Sequence, residues 1–395
     1  FIVFNFLLYL LSRGFLIGLY KLLSLNYDLD DKEIGNTKLY LFYPIFSLFL
    51  IGNLSVFFNF FVPIKNTIFI YLFFMLFNIL KPIKNLDKIS LLNFVIIPSI
   101  LSISTYAINL AQDAGLYHLN TQLWIRTEKI NFGISNINIR YAYSSIFDYI
   151  SSNFWMNNNF ILIHFINLIF IVLFYNFLLS NLISREKTFL KNASIAILLF
   201  GVLDNFGLNG GRNGFIDIEA VAKYDTPFAI LYFITIAIIF NNLIKKNISH
   251  LDFAVITYLT LFSVEMRIFG LSLFPFYLFL IYEYLKTNSL KSLKNPVTFS
   301  SIIFIFFIIK NFLISGCFLF PVEQTCIGKI PWYKKGTASL ESTDLSLFHI
   351  NYGFDQNISS WFNEWSSKEI NYSTLINFVL SVVIISLVNF IFFKK

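Results

Sequence analysis

The chain alternates between long apolar runs and short polar intervals, a pattern typical of helices that cross a bilayer. Most of these runs reach or approach the roughly 17–25 residues that a transmembrane helix needs. The pattern predicts about eleven spans, of which the third, sixth and eighth are short. They lie near 1–23, 39–62, 66–80, 91–111, 160–183, 193–208, 226–244, 251–265, 268–285, 297–314 and 372–393. We therefore predict an all-α, polytopic transmembrane bundle in which residues 1–395 form a single transmembrane domain.

Composition supports an integral membrane protein. The chain is 57% hydrophobic and 13% charged, whereas a soluble domain carries about 25% charged residues. So few charges could not cover the surface of a large soluble core. The net charge is +7, but the basic residues fall mostly in short loops and form no cluster interleaved with aromatics. This distribution argues against nucleic-acid binding.

Charge in the intervals predicts the orientation. The basic intervals all fall on one side if the spans alternate, and the positive-inside rule places that side in the cytoplasm. They are residues 81–90, 184–192, 245–247, 286–295 and 394–395. The acidic interval 26–38 is the exception on that side. The opposite side receives residues 112–159, about 203–225, and 315–371, so we expect the first and last of these to be large extracytoplasmic loops with interfacial helices.

A cluster of reactive residue types begins the first of these loops. In DAGLYHL (113–119), Asp113 and Tyr117 would be i,i+4 neighbours on one face if a helix continues there. A carboxylate in that position can act as a general base or bind a hard divalent cation such as Mg²⁺ or Mn²⁺. The alternative is a solvated helix end with an interfacial tyrosine.

Arg140 lies in a second polar stretch of the same loop, residues 136–155. Apolar residues recur there at spacings of three to four, which predicts an amphipathic helix lying flat at the membrane interface. The arginine can bind a phosphate group through charge-assisted hydrogen bonds. Alternatively, its side chain extends to the lipid headgroups.

Residues 206–231 contain a glycine-rich run and a carboxylate at a helix start. GLNGGRNG (207–214) lacks the Lys-Ser/Thr ending of a nucleotide-binding loop and follows no strand, so its glycines indicate turns. Asp225 precedes the seventh span and could face Asp113 as a second carboxylate. Glu219 and Lys223 are spaced for a local ion pair.

Arg267, in VEMRIFG (264–270), falls in a tight turn between two apolar runs. An arginine at that depth can bind a phosphate, or Glu265 can neutralise it structurally. In the last loop, Cys317 and Cys326 are a disulfide candidate if the loop lies in an oxidising compartment. Four aromatics near the end of that loop favour interface anchors over a sugar-stacking surface: Tyr352, Trp361, Phe362 and Trp365.

The arrangement resembles the GT-C superfamily of membrane glycosyltransferases, which place an acidic residue after a helix, at the head of a large extracytoplasmic loop. DAGLYHL is similar to a motif in a poorly characterised group of bacterial multispan proteins thought to be GT-C-like. DTPFAIL (225–231), EMRIFGLSLFPFYL (265–278) and NFLISGCFLFP (311–321) are similar to further stretches of that group. Two departures are that four predicted spans precede the loop and that Ala114 stands where some GT-C families have an adjacent acidic residue.

The resemblance implies transfer of a sugar from a polyprenyl-phosphate-linked donor to a glycan or lipid acceptor. The expected location is the bacterial inner (plasma) membrane, with the active site facing the periplasm or exterior. Asp113 and Asp225 would be the catalytic carboxylates, with Asp113 the metal ligand if a divalent cation takes part. Substrate would be held by four further residues: Tyr117, His118, Arg140 and Arg267. The alternatives are a transporter or flippase of lipid-linked saccharides and an O-antigen polymerase or ligase.

Overall fold

The computed structural model describes residues 1–22, 32–81, 88–157, 159–184, 188–206, 218–246, 248–345 and 357–392. Over these residues the chain is almost entirely helical, and an all-α fold is what the hydropathy pattern predicts. A single two-stranded hairpin, β1 (Glu33–Ile34) and β2 (Thr37–Lys38), is the only sheet in that part of the chain.

The first half of the chain forms eight α-helices with short 3₁₀ and π segments between them. The α-helices are α1 (Ile2–Leu22), α2 (Tyr43–Asn59), α3 (Ile68–Leu76), α4 (Lys88–Leu91), α5 (Ile97–Leu101), α6 (Leu119–Thr127), α7 (Ile146–Ser152) and α8 (Ile161–Ile183). The other segments are Leu39–Phe42, Ile64–Asn66, Phe77–Leu80, Leu92–Ile96, Ser102–Ala107, Ala114–His118, Ile134–Asn136 and Ile139–Ala142.

The second half adds eight more α-helices and two 3₁₀ segments. The helices are α9 (Phe189–Phe206), α10 (Asp225–Lys245), α11 (His250–Met266), α12 (Phe274–Thr287), α13 (Leu290–Ser315), α14 (Thr337–Leu345), α15 (Ile358–Ser367) and α16 (Glu369–Phe392). The 3₁₀ segments are Ile268–Leu273 and Glu323–Thr325.

Within the described residues, seven helices are long and apolar enough to cross a membrane, or eight if the bent pair α15–α16 is one span. They are Ile2–Leu19, Leu39–Asn59, Ile89–Ala107, Ile161–Ile183, Asp225–Lys245, Ile268–Thr287 and Asn295–Ser315. Each of the eleven apolar runs contains helix, but α11 has only 17 residues and α3 only nine. Length accounts for α3 and α11 but not for the other two runs, because α9 has 18 residues and α16 has 24. The last of these counts only together with α15, as the bent pair.

The bundle packs around α8, which is apolar on every side and mostly buried. Helices α1, α2, α10 and α11 supply most of the remaining core. At one end of these helices, loops and short helices gather into a polar cap comprising residues 108–157, 218–224, 266–270 and 313–345. Hydrogen bonds tie this cap to the helix ends, including those from Ile130 N to Asn59 O (3.1 Å) and from Gly133 N to Leu313 O (2.9 Å).

The cap corrects one prediction. Residues 136–155 do not form one amphipathic helix at the interface, because Tyr143 leaves helical geometry and Ser145 caps a new helix, α7. Every residue of α7 is buried. It packs closely on α2, where Gly52 leaves room for Ile146; a Cβ on this glycine would lie 2.8 Å from that side chain.

Candidate active site at one end of the bundle

Two distant stretches of backbone pair and bring the predicted carboxylates to the same region. Ala111 N donates to Val221 O (3.1 Å), and Val221 N donates to Asn109 O (2.8 Å). Small apolar residues close the space between the two stretches, and Ala114 and Val221 are completely buried. The segment that leads into Asp113 therefore lies beside the segment that leads into Asp225.

The helix that follows Asp113 is not a regular α-helix. Residues 114–118 form a single π-turn, in which Leu119 N donates to Ala114 O. A π-turn widens the helix, so the predicted i,i+4 relationship between Asp113 and Tyr117 does not apply as stated. Such turns occur frequently at functional sites. Here the turn seats Tyr117 and His118 side by side, with ring centroids 4.2 Å apart.

Each predicted carboxylate faces one of the predicted arginines. Asp113 Oδ1 lies 3.8 Å from an Arg140 guanidinium nitrogen, and Asp225 Oδ1 forms a close ion pair with Arg267. All four side chains are between one third and one half exposed. They are therefore held in place but still reachable from solvent.

Arg267 owes its position to the turn after α11. The turn runs through Gly270, where an added Cβ would lie 2.5 Å from the backbone of Ser263. This close approach folds the next helix back and leaves the Arg267 guanidinium 5.1 Å from the ring centroid of Tyr224. Glu265, the sequence alternative for neutralising Arg267, instead accepts a hydrogen bond from Asn53 Nδ2 (2.9 Å). The pairing with Glu265 is therefore wrong, because that side chain turns into the bundle.

Tyr117 connects the two ion pairs. The Arg140 guanidinium lies 5.9 Å from the centre of its ring. Burial raises the pKa of the Tyr117 phenol, and the charges of Asp113 and Asp148 raise it further. The guanidinium groups of Arg140 and Arg267 act on this pKa in the opposite direction. Charges from both pairs therefore reach the same phenol, so the six predicted site residues form one cluster.

Asp148 is a member of this cluster that we did not predict. Its Oδ1 lies 3.0 Å from His118 Nδ1, and both side chains are buried. Gln122 Nε2 donates to the same oxygen (3.2 Å), while Gln122 Oε1 accepts from Trp155 Nε1 (2.9 Å). This chain of hydrogen bonds fixes the orientation of the imidazole. The signal in the sequence was a lone aspartate in an apolar stretch, FDYI (147–150).

Glu219 is a further carboxyl group near the second ion pair. Its Oε2 accepts a hydrogen bond from Thr226 N (3.0 Å) in the first turn of α10, rather than serving mainly as a partner of Lys223. Burial raises the pKa of Glu219 to about 7, with a further increase from the negative charge of Asp225; the hydrogen bond from Thr226 lowers it. The group can therefore change charge near neutral pH.

The last loop, from residue 315 onward, packs against the segment that carries Arg140. Cys317 and Cys326 form a disulfide, and the small core around it includes Ala142 and Phe320. Tyr143 packs edge-on against Phe320 (ring centroids 5.3 Å apart), and its hydroxyl donates to Glu341 Oε1 (2.8 Å). Residues 315–345 thus pack directly on the stretch around Arg140.

The cluster is a poor match to a divalent cation. In the part of the chain that the structure describes, no three His, Cys, Asp or Glu side chains are grouped to hold a metal ion. Moreover, Asp113 and Asp225 each face a guanidinium, which competes with a cation for the carboxylate.

Some predicted features lie outside the described residues. They are the run GLNGGRNG (207–214) and the aromatic residue Tyr352. In the described part of the same loop, the rings of Trp361 and Trp365 stack on α15, with centroids 6.0 Å apart. That helix meets α16 at an angle of 92°, a geometry consistent with an anchor at the membrane interface.

The fold and the apolar helices define an integral membrane protein of the all-α class. A family model described as a domain of unknown function (DUF8201) matches residues 2–395, and the chain belongs to that family. No curated protein and no solved structure matches the chain.

Proposed function

We propose that the chain is a membrane glycosyltransferase of the GT-C type. It would transfer a sugar from a polyprenyl-phosphate donor to a glycan or lipid acceptor, in surface-polysaccharide or glycolipid assembly. The observation that carries the proposal is the gathering of Asp113, Arg140, Asp225 and Arg267 around Tyr117, at the end of an apolar bundle. Such a site offers carboxylates for proton removal and guanidinium groups for a phosphate.

The reaction would proceed with the following roles. An acceptor hydroxyl oxygen attacks the anomeric carbon of the sugar, and its proton passes to the Asp113 carboxylate. The bond between the anomeric carbon and the phosphate oxygen breaks, and the electron pair stays on that oxygen. Arg267 and Arg140 pair with the phosphate and stabilise the charge that develops on it.

The remaining residues would hold the acceptor. Asp225 orients it once Arg267 has turned to the phosphate, while Tyr117 and the Asp148-bound imidazole of His118 supply hydrogen bonds. The partial exposure of Asp113 and Asp225 supports these roles, because substrate must reach both carboxylates from water.

Topology supports an extracytoplasmic site in the plasma membrane. The basic intervals predicted to be cytoplasmic alternate with the intervals that form the cap. A disulfide in the cap, between Cys317 and Cys326, fits an oxidising compartment. Both arguments support a cluster on the outer face.

A flippase or transporter of lipid-linked saccharides is the second candidate, and one observation favours it. Lys310 is completely buried within the span Asn295–Ser315, where its Nζ donates to Ser144 Oγ (3.1 Å). Ionisable groups inside a membrane often line transport pathways. An O-antigen polymerase or ligase has no comparable observation in its favour.

The deciding experiment compares Asp113→Asn with Asp344→Asn, which changes an exposed aspartate on α14. Purified protein would be given a radiolabelled polyprenyl-phosphate hexose and a crude glycolipid acceptor fraction. We expect wild type and Asp344→Asn to form labelled product, and Asp113→Asn to lose at least about 100-fold in rate. Product formation by Asp113→Asn at the wild-type rate would exclude its catalytic role. If the protein, reconstituted in vesicles, moved the labelled lipid from one leaflet to the other without forming product, the result would favour the flippase.

A further inference from the structure

A lysine is buried near the cap end of α13. Lys310 has no exposed surface, and its Nζ donates to the carbonyl oxygen of Ser144 and to the Ser144 hydroxyl oxygen (3.1 Å). The same Nζ lies 4.0 Å from the ring centroid of Phe307 and 5.3 Å from that of Tyr149. A buried ammonium group is costly unless its donors are satisfied. Two hydrogen bonds to one residue and two aromatic faces offset this cost.

Ser144 and the next residue, Ser145, connect this lysine to the turn after α11. Ser145 Oγ donates to the carbonyl oxygen of Met266 (2.9 Å), the residue directly before Arg267. Both serines are buried. The backbone that carries Arg267 is therefore tied to the two serines, which Lys310 holds from the other side.

The same two serines join the segment of Arg140 to α7. Arg140 lies in a short 3₁₀ segment that ends at Ala142, shortly before Ser144. On the other side, Ser145 Oγ accepts a hydrogen bond from Phe147 N (3.1 Å) at the start of α7. The backbone at Ser145 is extended rather than helical (φ −66°, ψ 148°). The path of the chain here therefore depends on the hydrogen bonds of the serines rather than on a continuous helix.

The first turn of α7 carries the effect of this junction to the second ion pair. The Phe147 ring stacks on that of Tyr224, with centroids 5.0 Å apart. The Arg267 guanidinium lies 5.1 Å from the centroid of the same Tyr224 ring. Arg267 is thus held at its backbone by Ser145 and at its guanidinium by a ring that rests on α7.

We propose that Lys310 is a positioning residue, which sets the relative placement of Arg140 and Arg267 through Ser144 and Ser145. This inference rests on the proposed function, in which both arginines bind one phosphate. Lys310 has no exposed surface that a substrate could contact. An apolar side chain of similar length would remove the donor for the Ser144 carbonyl oxygen, and a buried polar group without a partner is costly. The junction would then shift toward another donor, and the two guanidinium groups would move relative to each other.

The first test measures local opening of the backbone without any substrate. Hydrogen exchange would be followed by mass spectrometry in the purified full chain for wild type, Lys310→Met, Lys310→Gln and Ile309→Ala. Ile309 is the matched control, because it is the neighbouring residue on α13 and is 39% exposed. We expect Lys310→Met to exchange at least about tenfold faster in residues 139–148 and 266–270, with α8 unchanged. Lys310→Gln keeps an N–H donor for Ser144 and should show a smaller increase, and Ile309→Ala should match wild type.

The second test measures binding of a phosphate. Farnesyl phosphate, which has an isoprenoid chain and no sugar, would be titrated onto the same four proteins by isothermal calorimetry. We expect Lys310→Met to bind about tenfold more weakly than wild type, since loss of one charge-assisted hydrogen bond has an effect of this size. Lys310→Gln should lie between the two, and Ile309→Ala should bind like wild type.

A second variant keeps the inference testable if Lys310→Met does not fold. Ser145→Ala retains Lys310 and its bonds to Ser144 but removes the hydrogen bond to Met266. We expect faster exchange in residues 266–270 and weaker binding of farnesyl phosphate, while residues 139–142 exchange as in wild type. Wild-type exchange in 266–270 would contradict the link through Ser145.

Several results would overturn the inference. They are wild-type exchange in both segments of Lys310→Met, exchange that is faster throughout the bundle, and binding of farnesyl phosphate that is absent in wild type or unchanged in Lys310→Met. Loss of lipid translocation in Lys310→Met, with wild-type exchange in both segments, would assign the lysine to a transport path instead.

The same variants separate the inference from the proposed function. Local exchange and phosphate binding that depend on Lys310, in a protein without transferase activity, would support the positioning role and remove the enzyme. Transfer that requires Asp113 but has wild-type kcat and donor KM in Lys310→Met would support the enzyme and remove the positioning role.

Discussion

The Nδ1 atom of His118 and the Oδ1 atom of Asp148 are 3.0 Å apart, and both side chains are buried in the cap. Asp148 lies on α7, which enters the bundle against α2, while His118 ends the π-turn before α6. The pair therefore joins two separate elements of the same loop. With Nδ1 engaged, the opposite nitrogen of the imidazole, Nε2, is the one left for a substrate.

If the two residues act as a unit, the effects of their substitutions on the transfer rate should not be additive. We expect Asp148→Asn and His118→Gln each to lower the transfer rate by about 10- to 100-fold, and the double variant to lower it no further. Each single variant also leaves a buried polar group poorly paired, so the free energy of unfolding should fall by about 1–3 kcal/mol. Transfer rates and thermal midpoints would be measured for all three variants. If the rate losses of the two single variants multiplied in the double variant, His118 and Asp148 would not act as a unit.

The ion pair of Asp225 and Arg267 should matter far more for activity than for stability. Because both side chains are partly exposed, the pair contributes about 0–1 kcal/mol to folding. We expect Asp225→Asn and Arg267→Gln to keep nearly the wild-type thermal midpoint. Loss of a charge contact made in the transition state should nevertheless cost Arg267→Gln about 100-fold in rate.

The control is the ion pair of Glu283 and Lys286 on α12 (2.6 Å), in which the lysine is about half exposed and the glutamate is largely buried. Lys286→Gln should change neither the midpoint nor the rate. A large drop in the midpoint for Arg267→Gln, with a rate that falls only in proportion to the folded fraction, would make the Asp225–Arg267 pair structural.

Glu219 should make stability depend on pH. Its folded pKa is raised to about 7, so between about pH 4.5 and 7 the unfolded state loses a proton that the folded state keeps. Stability must then decline as pH rises through this window, and the effect levels off above it. Glu219→Gln cannot ionise, so we expect its thermal midpoint to decline less over the same range, while the exposed Glu128→Gln follows wild type. A decline of wild-type size in Glu219→Gln would show that another group is responsible.

The helices and most residues of the candidate cluster can be predicted from the sequence for one physical reason. Apolar runs are costly to place outside a bilayer, and the charges at their ends are costly to place outside a polar region such as the cap. Asp113, Asp225 and Arg267 stand out in the sequence because each interrupts or borders such a run. Which partners they take depends on folding: Asp225 reaches Arg267 only because the chain turns sharply at Gly270.

What could not be predicted depends on tertiary packing. Asp148 sits in an apolar stretch whose periodicity indicated a surface helix, and only the packing of α7 on α2 buries it. The π-turn before α6 likewise has no marker in hydropathy, which responds to composition and period rather than to the extra residue in a turn. The number of spans is also hard to predict from the sequence, because a short buried helix such as α11 has the composition of a span without the length.

The disulfide of the last loop offers a test of how the cap holds Arg140. Cys317 and Cys326 are nine residues apart, and closing a loop of this length stabilises a fold by about 2–3 kcal/mol. The double variant Cys317→Ser, Cys326→Ser should lower the thermal midpoint, and the contact of Phe320 with Tyr143 should loosen. Since Tyr143 follows Arg140 closely in the chain, we also expect a higher KM for the phosphate donor and a lower kcat, because Arg140 pairs with the phosphate both before and during transfer. A reducing agent should reproduce both effects in wild type and have none on the double variant; wild-type KM in the reduced protein would show that the last loop does not position Arg140.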